Sequence, residues 1–196
     1  WKKYYEPTRI TNQFTVKPLW ADYTGSTEET IIHLDPGMAF GTGTHPTTVL
    51  AVRLLERYVA PETCFLDVGC GSGILSIVAN KLGAQKGLAI DIDPVAIAKT
   101  KENMVYNCVE DKVQIQQGDL LKGIDKVFDI VIANILADVI IELASGLSAV
   151  LKRGGIFICS GIIQGKEKQV MDALNEFDVL EMITSGSWVA IALKRC

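Results

Sequence analysis

Leu66-Asp67-Val68-Gly69-Cys70-Gly71-Ser72-Gly73 is the stretch that decides the fold. The short apolar run Cys64–Val68 ends in three glycines spaced G-x-G-x-G and passes straight into a helical pattern over about 73–82. Glycine reaches backbone angles closed to other residues, so such a loop turns tightly and lets a ligand lie against bare backbone. The spacing is not that of the dinucleotide fingerprint G-x-G-x-x-G. Position 74 is Ile, so the third glycine comes one residue early. That shift argues against a pyrophosphate on the helix N-terminus and for a ligand without phosphate. Taken alone, the loop also suits a tight strand–helix turn that holds nothing.

Beyond the loop the chain alternates. Residues 87–90 form a second apolar run ending in Asp91, with a helix predicted over about 94–106. Residues 113–116 and 128–133 read as strands, the latter almost wholly apolar, as a strand buried on both faces should be. A helix over 137–151 is closed by Lys152-Arg153-Gly154-Gly155, basic residues and then glycine at a helix C-terminus. Residues 156–160 read as a strand, 166–177 as a helix, and 179–184 and 188–193 as two strands around Ser185-Gly186-Ser187. Strand–helix alternation implies parallel strands with right-handed crossovers, and the closing hairpin makes the sheet mixed. Upstream, 10–16 and 30–34 alternate as strands, with Pro18, Gly25 and Pro36 as breakers. A Gly/Thr-rich loop with Gly37, Gly41 and Gly43 leads to Pro46, which opens a helix over 47–58. The expected architecture is α/β: a Rossmann-like, seven-stranded mixed sheet flanked by helices, with a β-rich N-terminal extension.

The 196 residues suffice for one such domain with a true core, and 48% hydrophobic content is that of a globular chain. No apolar run reaches the ~18 residues of a membrane span, and no basic-then-apolar leader opens the chain. A soluble cytoplasmic protein with no membrane partner is expected. The five cysteines are odd in number and form no C-x-x-C pair, which fits a reducing compartment and not a zinc site. Two separated histidines are too few for a metal cluster, so no metal site is expected. A net charge of −4 gives no electrostatic case for direct nucleic-acid binding and tolerates a basic protein partner.

Three polar residues stand at predicted strand ends, where ligands of open α/β sheets bind. Asp91 can accept both hydroxyls of a ribose. Asp93, before Pro94, reads as the cap of the next helix. Asp119 ends the following strand and can receive an adenine amino group, or else sits in a solvated turn. Asn134 closes the apolar strand. Its carbonyl can hold an amine N–H, and it can also cap the next helix.

Together, G-x-G-x-G, an acid one strand later and Asn at the fourth strand end resemble the class I S-adenosylmethionine-dependent methyltransferases. The likeness covers about 64–196, including Leu151-Lys152-Arg153-Gly154-Gly155. The loop Asp35-Pro36-Gly37-Met38-Ala39-Phe40-Gly41-Thr42-Gly43-Thr44-His45-Pro46-Thr47-Thr48 is more specific. It resembles that of the ribosomal protein L-eleven methyltransferases (PrmA type), as do Trp1-Lys2-Lys3-Tyr4-Tyr5-Glu6-Pro7 and Gly186-Ser187-Trp188. The resemblance implies S-adenosylmethionine as cofactor and methylation of lysine and N-terminal amines of large-subunit ribosomal protein L-eleven. It places Thr48, Gly69, Asp91 and Asn134 at cofactor-binding positions and makes Phe40, Gly41, Thr42 and Gly43 a lid. The glycine-loop and strand-end readings add Gly71 and Asp119 at the cofactor and make Asn134 catalytic. It divides the chain into a β-rich extension with the lid loop, 1–44, and a methyltransferase domain, 45–196. Members carry a further N-terminal domain that grips the ribosomal protein. The chain opens at Trp1 without Met, so it reads as a catalytic part, expected to bind cofactor yet to methylate its target poorly.

Asn134-Ile135-Leu136-Ala137 departs from the N-P-P-Y/F form used on amide or base nitrogen. No aromatic follows Asn134 to stack on a flat target, which favours an aliphatic amine. His45 reads as a loop-fixing residue more than a general base. Three other readings compete: a nicotinamide-dependent oxidoreductase, which the glycine spacing disfavours; a non-catalytic cofactor-binding module, which Asn134 disfavours; and an enzyme of the same fold acting on RNA or on another protein.

Overall fold

The computed structural model describes residues 5–35 and 41–196. Its strands are β1 (Thr8–Arg9), β2 (Phe14–Pro18), β3 (Thr30–Leu34), β4 (Cys64–Val68), β5 (Lys86–Asp91), β6 (Val113–Gln117), β7 (Phe128–Asn134), β8 (Leu151–Ile163), β9 (Phe177–Ser185) and β10 (Trp188–Arg195). Its helices are α1 (Pro46–Tyr58), α2 (Ile74–Lys81), α3 (Pro94–Tyr106), α4 (Ala137–Val150) and α5 (Glu167–Ala173). Strands β1–β3 form a small sheet, and the other seven form one mixed sheet in the order β6-β5-β4-β7-β8-β10-β9. Within it β4–β8 are parallel, and β10 runs antiparallel to both β8 and β9. The chain winds outward from β4 through β5 to β6, then returns to β7 on the other flank of β4. The switch point, where such sheets open a crevice at their carboxyl edge, therefore lies between β4 and β7.

Period-two alternation sorts the core. In β4, Phe65 faces the layer of α1, α2 and α3, while Leu66 and Val68 face α4 and α5. Asp67 thus points to the same side as Phe65. Phe14, Val16, Ile32 and Leu34 of the small sheet join the layer that holds Leu50, Leu54 and Ile77, so both sheets share one core.

Several boundaries differ from the sequence reading. Residues 10–12 are a turn, with the Ile10 and Thr11 amides both donating to the Phe14 carbonyl, and β2 starts at Phe14. Pro18 ends that strand instead of breaking it. β1 pairs only with Thr15 and Val16, so the missing N–H of Pro18 lies beyond the doubly paired stretch. Lys152-Arg153-Gly154-Gly155 is not a helix-terminating loop. It is a bulge inside β8, because pairing with β7 jumps from Phe128–Leu151 to Ile130–Ile156. Helix α5 stops at Ala173, and Phe177 already opens β9.

Gly87 lies beside Phe65 in the β4–β5 ladder, and a Cβ there would stand 2.1 Å from Cζ of that fully buried ring. Gly87→Ala should therefore destabilise the fold by about 1–3 kcal/mol, the usual cost of overpacking, read as a lowered urea midpoint. An unchanged midpoint would show that the ring is free to move.

Candidate active site

Gly69, Asp91 and Asn134 stand at the carboxyl ends of β4, β5 and β7 respectively, three neighbouring strands of the sheet. With Gly71 and Asp119 they line one cavity of about 670 Å³, inside the ~300–1,000 Å³ range of small-molecule sites. Five residues of the glycine loop and the strand ends thus meet around one hollow. Thr48 is buried behind it and accepts a long hydrogen bond from Asn134 Nδ2, 3.4 Å. Gly41, Thr42 and Gly43 do not line the cavity. Gly41 lies over Ser72, Gly43 packs against Val16 and Ile74, and Thr42 meets the hydroxyl of Thr44. Phe40 lies outside the described residues, as do Pro36, Gly37, Met38, Ala39 and Trp1.

The loop is built from backbone donors. The Gly69 and Cys70 amides both donate to the Ile90 carbonyl, at 2.8 and 3.0 Å, which pins the loop to β5. Gly69 has φ +71, and a Cβ there would come 2.7 Å from Ile135, so both angle and approach require glycine. The Gly71 amide donates to Asp91 Oδ2 and the Asp93 amide to Asp91 Oδ1, each at 2.9 Å. The carboxylate is thereby fixed, with further lone pairs left for a ligand. Asp93 caps α3 by accepting from the Val95 amide at 2.8 Å, the role its place before Pro94 indicated. Asp119 combines two readings: it lines the cavity and also forms an exposed turn ion pair with Lys122.

Asn134 does not cap α4. Leu136 occupies that position without a side-chain bond, which leaves the amide of Asn134 to the cavity. With Nδ2 directed at Thr48, Oδ1 is the atom beside Gly161, where an added Cβ would lie 3.2 Å away. His45 caps α1: its Nδ1 accepts from the Thr47 amide at 3.3 Å and shares a 2.8 Å bond with the Thr47 hydroxyl. That matches the loop-fixing role.

Several lining residues escaped the sequence reading. Ile92 and Leu136 contribute apolar surface from the β5 and β7 sides and are 65% and 69% exposed, surface that a ligand would cover. Trp188 lines the cavity with its ring edge-on to His45, centroids 5.3 Å apart. Because β10 runs backwards, its first residue arrives at the edge where its parallel neighbours end. No aromatic follows Asn134 along the chain, and the aromatic that does reach the cavity, Trp188, comes from a different strand.

Beneath the loop, Asp67 is fully buried and accepts from Ser76 Oγ at 2.7 Å. Burial pushes its pKa up to about 6, against the pull of the Ser76 bonds and with a small push from Asp91. Burial also pushes the Cys70 thiol far up, so the cysteine within the loop is no nucleophile.

The family model described as "Ribosomal protein L11 methyltransferase (PrmA)" matches residues 1–196. A ribosomal protein L11 methyltransferase of Oceanobacillus iheyensis is 48% identical over 198 residues, covering 100% of this chain and 63% of the relative. The chain spans under two thirds of the length of the curated relatives it matches, 62–63% for the first of them. The solved structure of a ribosomal protein L11 methylase from Lactobacillus delbrueckii subsp. bulgaricus superposes with a TM-score of 0.92 at 35% identity, covering 97% of this chain and 99% of that one. An RNA methyltransferase from Salinibacter ruber, solved with S-adenosyl-L-homocysteine, shares the fold at a TM-score of 0.62 and 21% identity, covering 74% and 90%.

Asp67 gives the site a pH signature. With a pKa of about 6, against an ordinary value near ~4, the folded chain holds this proton where the unfolded chain releases it. The contribution to stability is full below pH ~4 and is lost as pH rises through 6. Asp67→Asn abolishes that loss, so its Tm relative to the parent should climb between pH 4.5 and pH 8. A pH-independent difference would mean that Asp67 titrates normally.

Proposed function

The chain belongs to the ribosomal protein L11 methyltransferase (PrmA) family, and on that premise we propose that it binds S-adenosylmethionine in the cavity between β4, β5 and β7 and methylates amine nitrogens of ribosomal protein L11. The observation that carries this reading is the convergence of a bare glycine backbone, a fixed carboxylate and an uncommitted amide oxygen on one hollow.

The residues present fit that cofactor. Gly69 and Gly71 offer backbone with no Cβ in the way. Asp91, its orientation set by two amide donors, accepts the ribose hydroxyls. Ile92 and Leu136 cover the two faces of a flat base, and Asp119 lies beyond them for its amino group. Gly41, Thr42 and Gly43, with Phe40, are proposed to cover the cofactor, and Thr48 to hold Asn134 in place. A boundary at 44/45 between the β-rich extension and the catalytic unit belongs to the same proposal.

When bound, the cofactor supplies a methyl group already activated by its cationic sulfur. What remains for the chain is to orient an amine and to keep it neutral. Orientation alone can lower such a barrier by ~7–11 kcal/mol. Asn134 Oδ1 accepts one amine N–H and so aims the nitrogen lone pair along the transfer line. Neutrality is the harder requirement, since deprotonating a lysine of pKa ~10.4 at pH 7 costs roughly 4.6 kcal/mol. The apolar walls lower that cost by penalising the charged form. Trp188 and His45 then bound the acceptor end of the cavity, where an aromatic wall can pack on the methylene stem of lysine. His45 Nδ1 is engaged with Thr47, so no proton-transfer step is assigned to it.

The net charge of −4 supports a basic protein partner over direct nucleic-acid contact. The five cysteines are all free, which supports a cytoplasmic setting. Among the described residues no helix is long and apolar enough to cross a membrane.

Incubating the chain with methyl-labelled cofactor and unmethylated large ribosomal subunits should place label, at a low rate, on the L11-type protein. Label on RNA instead would overturn the substrate. Asn134→Ala should lower kcat by roughly 10²-fold, the scale of a misplaced reactant, while the cofactor Kd moves only a few-fold. A normal kcat would remove Asn134 from the transfer step.

A further inference from the structure

Helix α3 carries a buried polar stripe that ordinary helix packing does not call for. Thr100 and Asn103, with the C-cap residue Asn107, recur at i, i+3 and i+7 on one side and are 0%, 0% and 3% exposed. Buried hydroxyls and amides are costly unless paired, so the destinations of their hydrogen bonds are informative. The stripe grips the backbone of two remote segments. Toward the glycine loop, Thr100 Oγ1 donates to the Gly71 carbonyl and Asn103 Nδ2 to the Ser72 carbonyl, each at 2.9 Å. Toward the end of β3, Asn103 Oδ1 accepts from the Asp35 amide at 3.2 Å. Asn107 brackets His33, accepting from its amide at 2.9 Å and donating to its carbonyl at 2.7 Å. Of the three side chains, Asn103 is the one whose amide reaches both segments.

We propose that Asn103 is a positioning residue for the cofactor, resting on the reading above: its amide sets the glycine loop relative to Asp91 and joins that loop to the end of β3. Asn103 does not line the cavity and acts through Ser72 and Gly71. The Gly71 amide holds Asp91 Oδ2, so the placement of Gly71 governs the carboxylate. A loop of glycines has large conformational freedom to lose. With two successive carbonyls tied to α3, that loss is met on folding and not on binding, which is how preorganisation raises affinity. The far side of Ser72 is covered as well. Gly41 lies close enough that a Cβ there would stand 2.8 Å from Ser72 Oγ, a buried hydroxyl without a hydrogen-bond partner among the described residues. Lys99 adds an ion pair to the Asp35 side chain at 2.8 Å. Asp35 and Gly41, on either side of residues 36–40, thus both bear on Ser72.

Two near-isosteric substitutions separate positioning from simple packing. Asn103→Asp keeps the acceptor for the Asp35 amide and sets an oxygen against the Ser72 carbonyl. Asn107→Asp damages the grip on His33 but leaves the glycine loop tied. Calorimetric titration with S-adenosylhomocysteine, on protein shown folded by circular dichroism, should give a Kd raised about tenfold for Asn103→Asp, the effect of one lost buried hydrogen bond. Asn107→Asp should lower Tm with Kd within about twofold of the parent. Equal effects of both variants on Kd, or an unchanged Kd for Asn103→Asp, would overturn the proposal. Should Asn103→Asp not fold, Thr100→Val removes the adjacent tie to Gly71. A several-fold weaker Kd would support the proposal and an unchanged one would overturn it. Failure of the unmodified chain to bind S-adenosylhomocysteine would instead overturn the cofactor reading itself.

Discussion

The bond from the Gly71 amide to the Asp91 carboxylate is the constraint on which the site depends. It spans two adjacent parallel strands and fixes, in one contact, where the loop lies and which way the acid points. Its geometry follows from register. Val68 pairs with Ile90, so the residues after Val68 fall beside the last residues of β5, and the Ile90 carbonyl can take two loop amides. A side chain at Gly69 would strike Ile135, which couples the loop to the segment that follows Asn134. The three strand ends are therefore mutually dependent, and the hollow between them is a product of the fold.

The N-terminal sheet is part of that arrangement. Its apolar face completes the core layer over α1 and α2, and the backbone at the end of β3 is held by the polar stripe of α3. Because the same stripe holds the glycine loop, strands β1–β3 bear on the cavity without lining it. The buried Asp67 adds a second support from beneath, at a cost: a carboxylate in that place resists ionisation.

What could be read from the sequence is what local pattern dictates. The order of strands and helices, the glycine loop, Asp91 at a strand end and Asp93 as a cap all follow from runs of a few residues. The unread parts depend on distance in space. Thr100, Asn103 and Asn107 look like a solvated helix face, because polar residues at helical spacing usually are one, and nothing nearby in sequence shows their partners. Trp188 needed the knowledge that β10 is reversed. The bulge at 152–155 looked like a helix stop because glycine serves both purposes, and only the pairing of Leu151 with Phe128 separates them. Asn134 offered two uses of its amide, and the position of Leu136 at the helix start decides between them.

The central claim is tested most directly by a crystal structure of the chain with S-adenosylhomocysteine. The ribose hydroxyls should lie on the Asp91 carboxylate, the base between Ile92 and Leu136, and the sulfur facing Asn134. A ligand bound elsewhere, or a ribose turned away from Asp91, would contradict the assignment of this hollow.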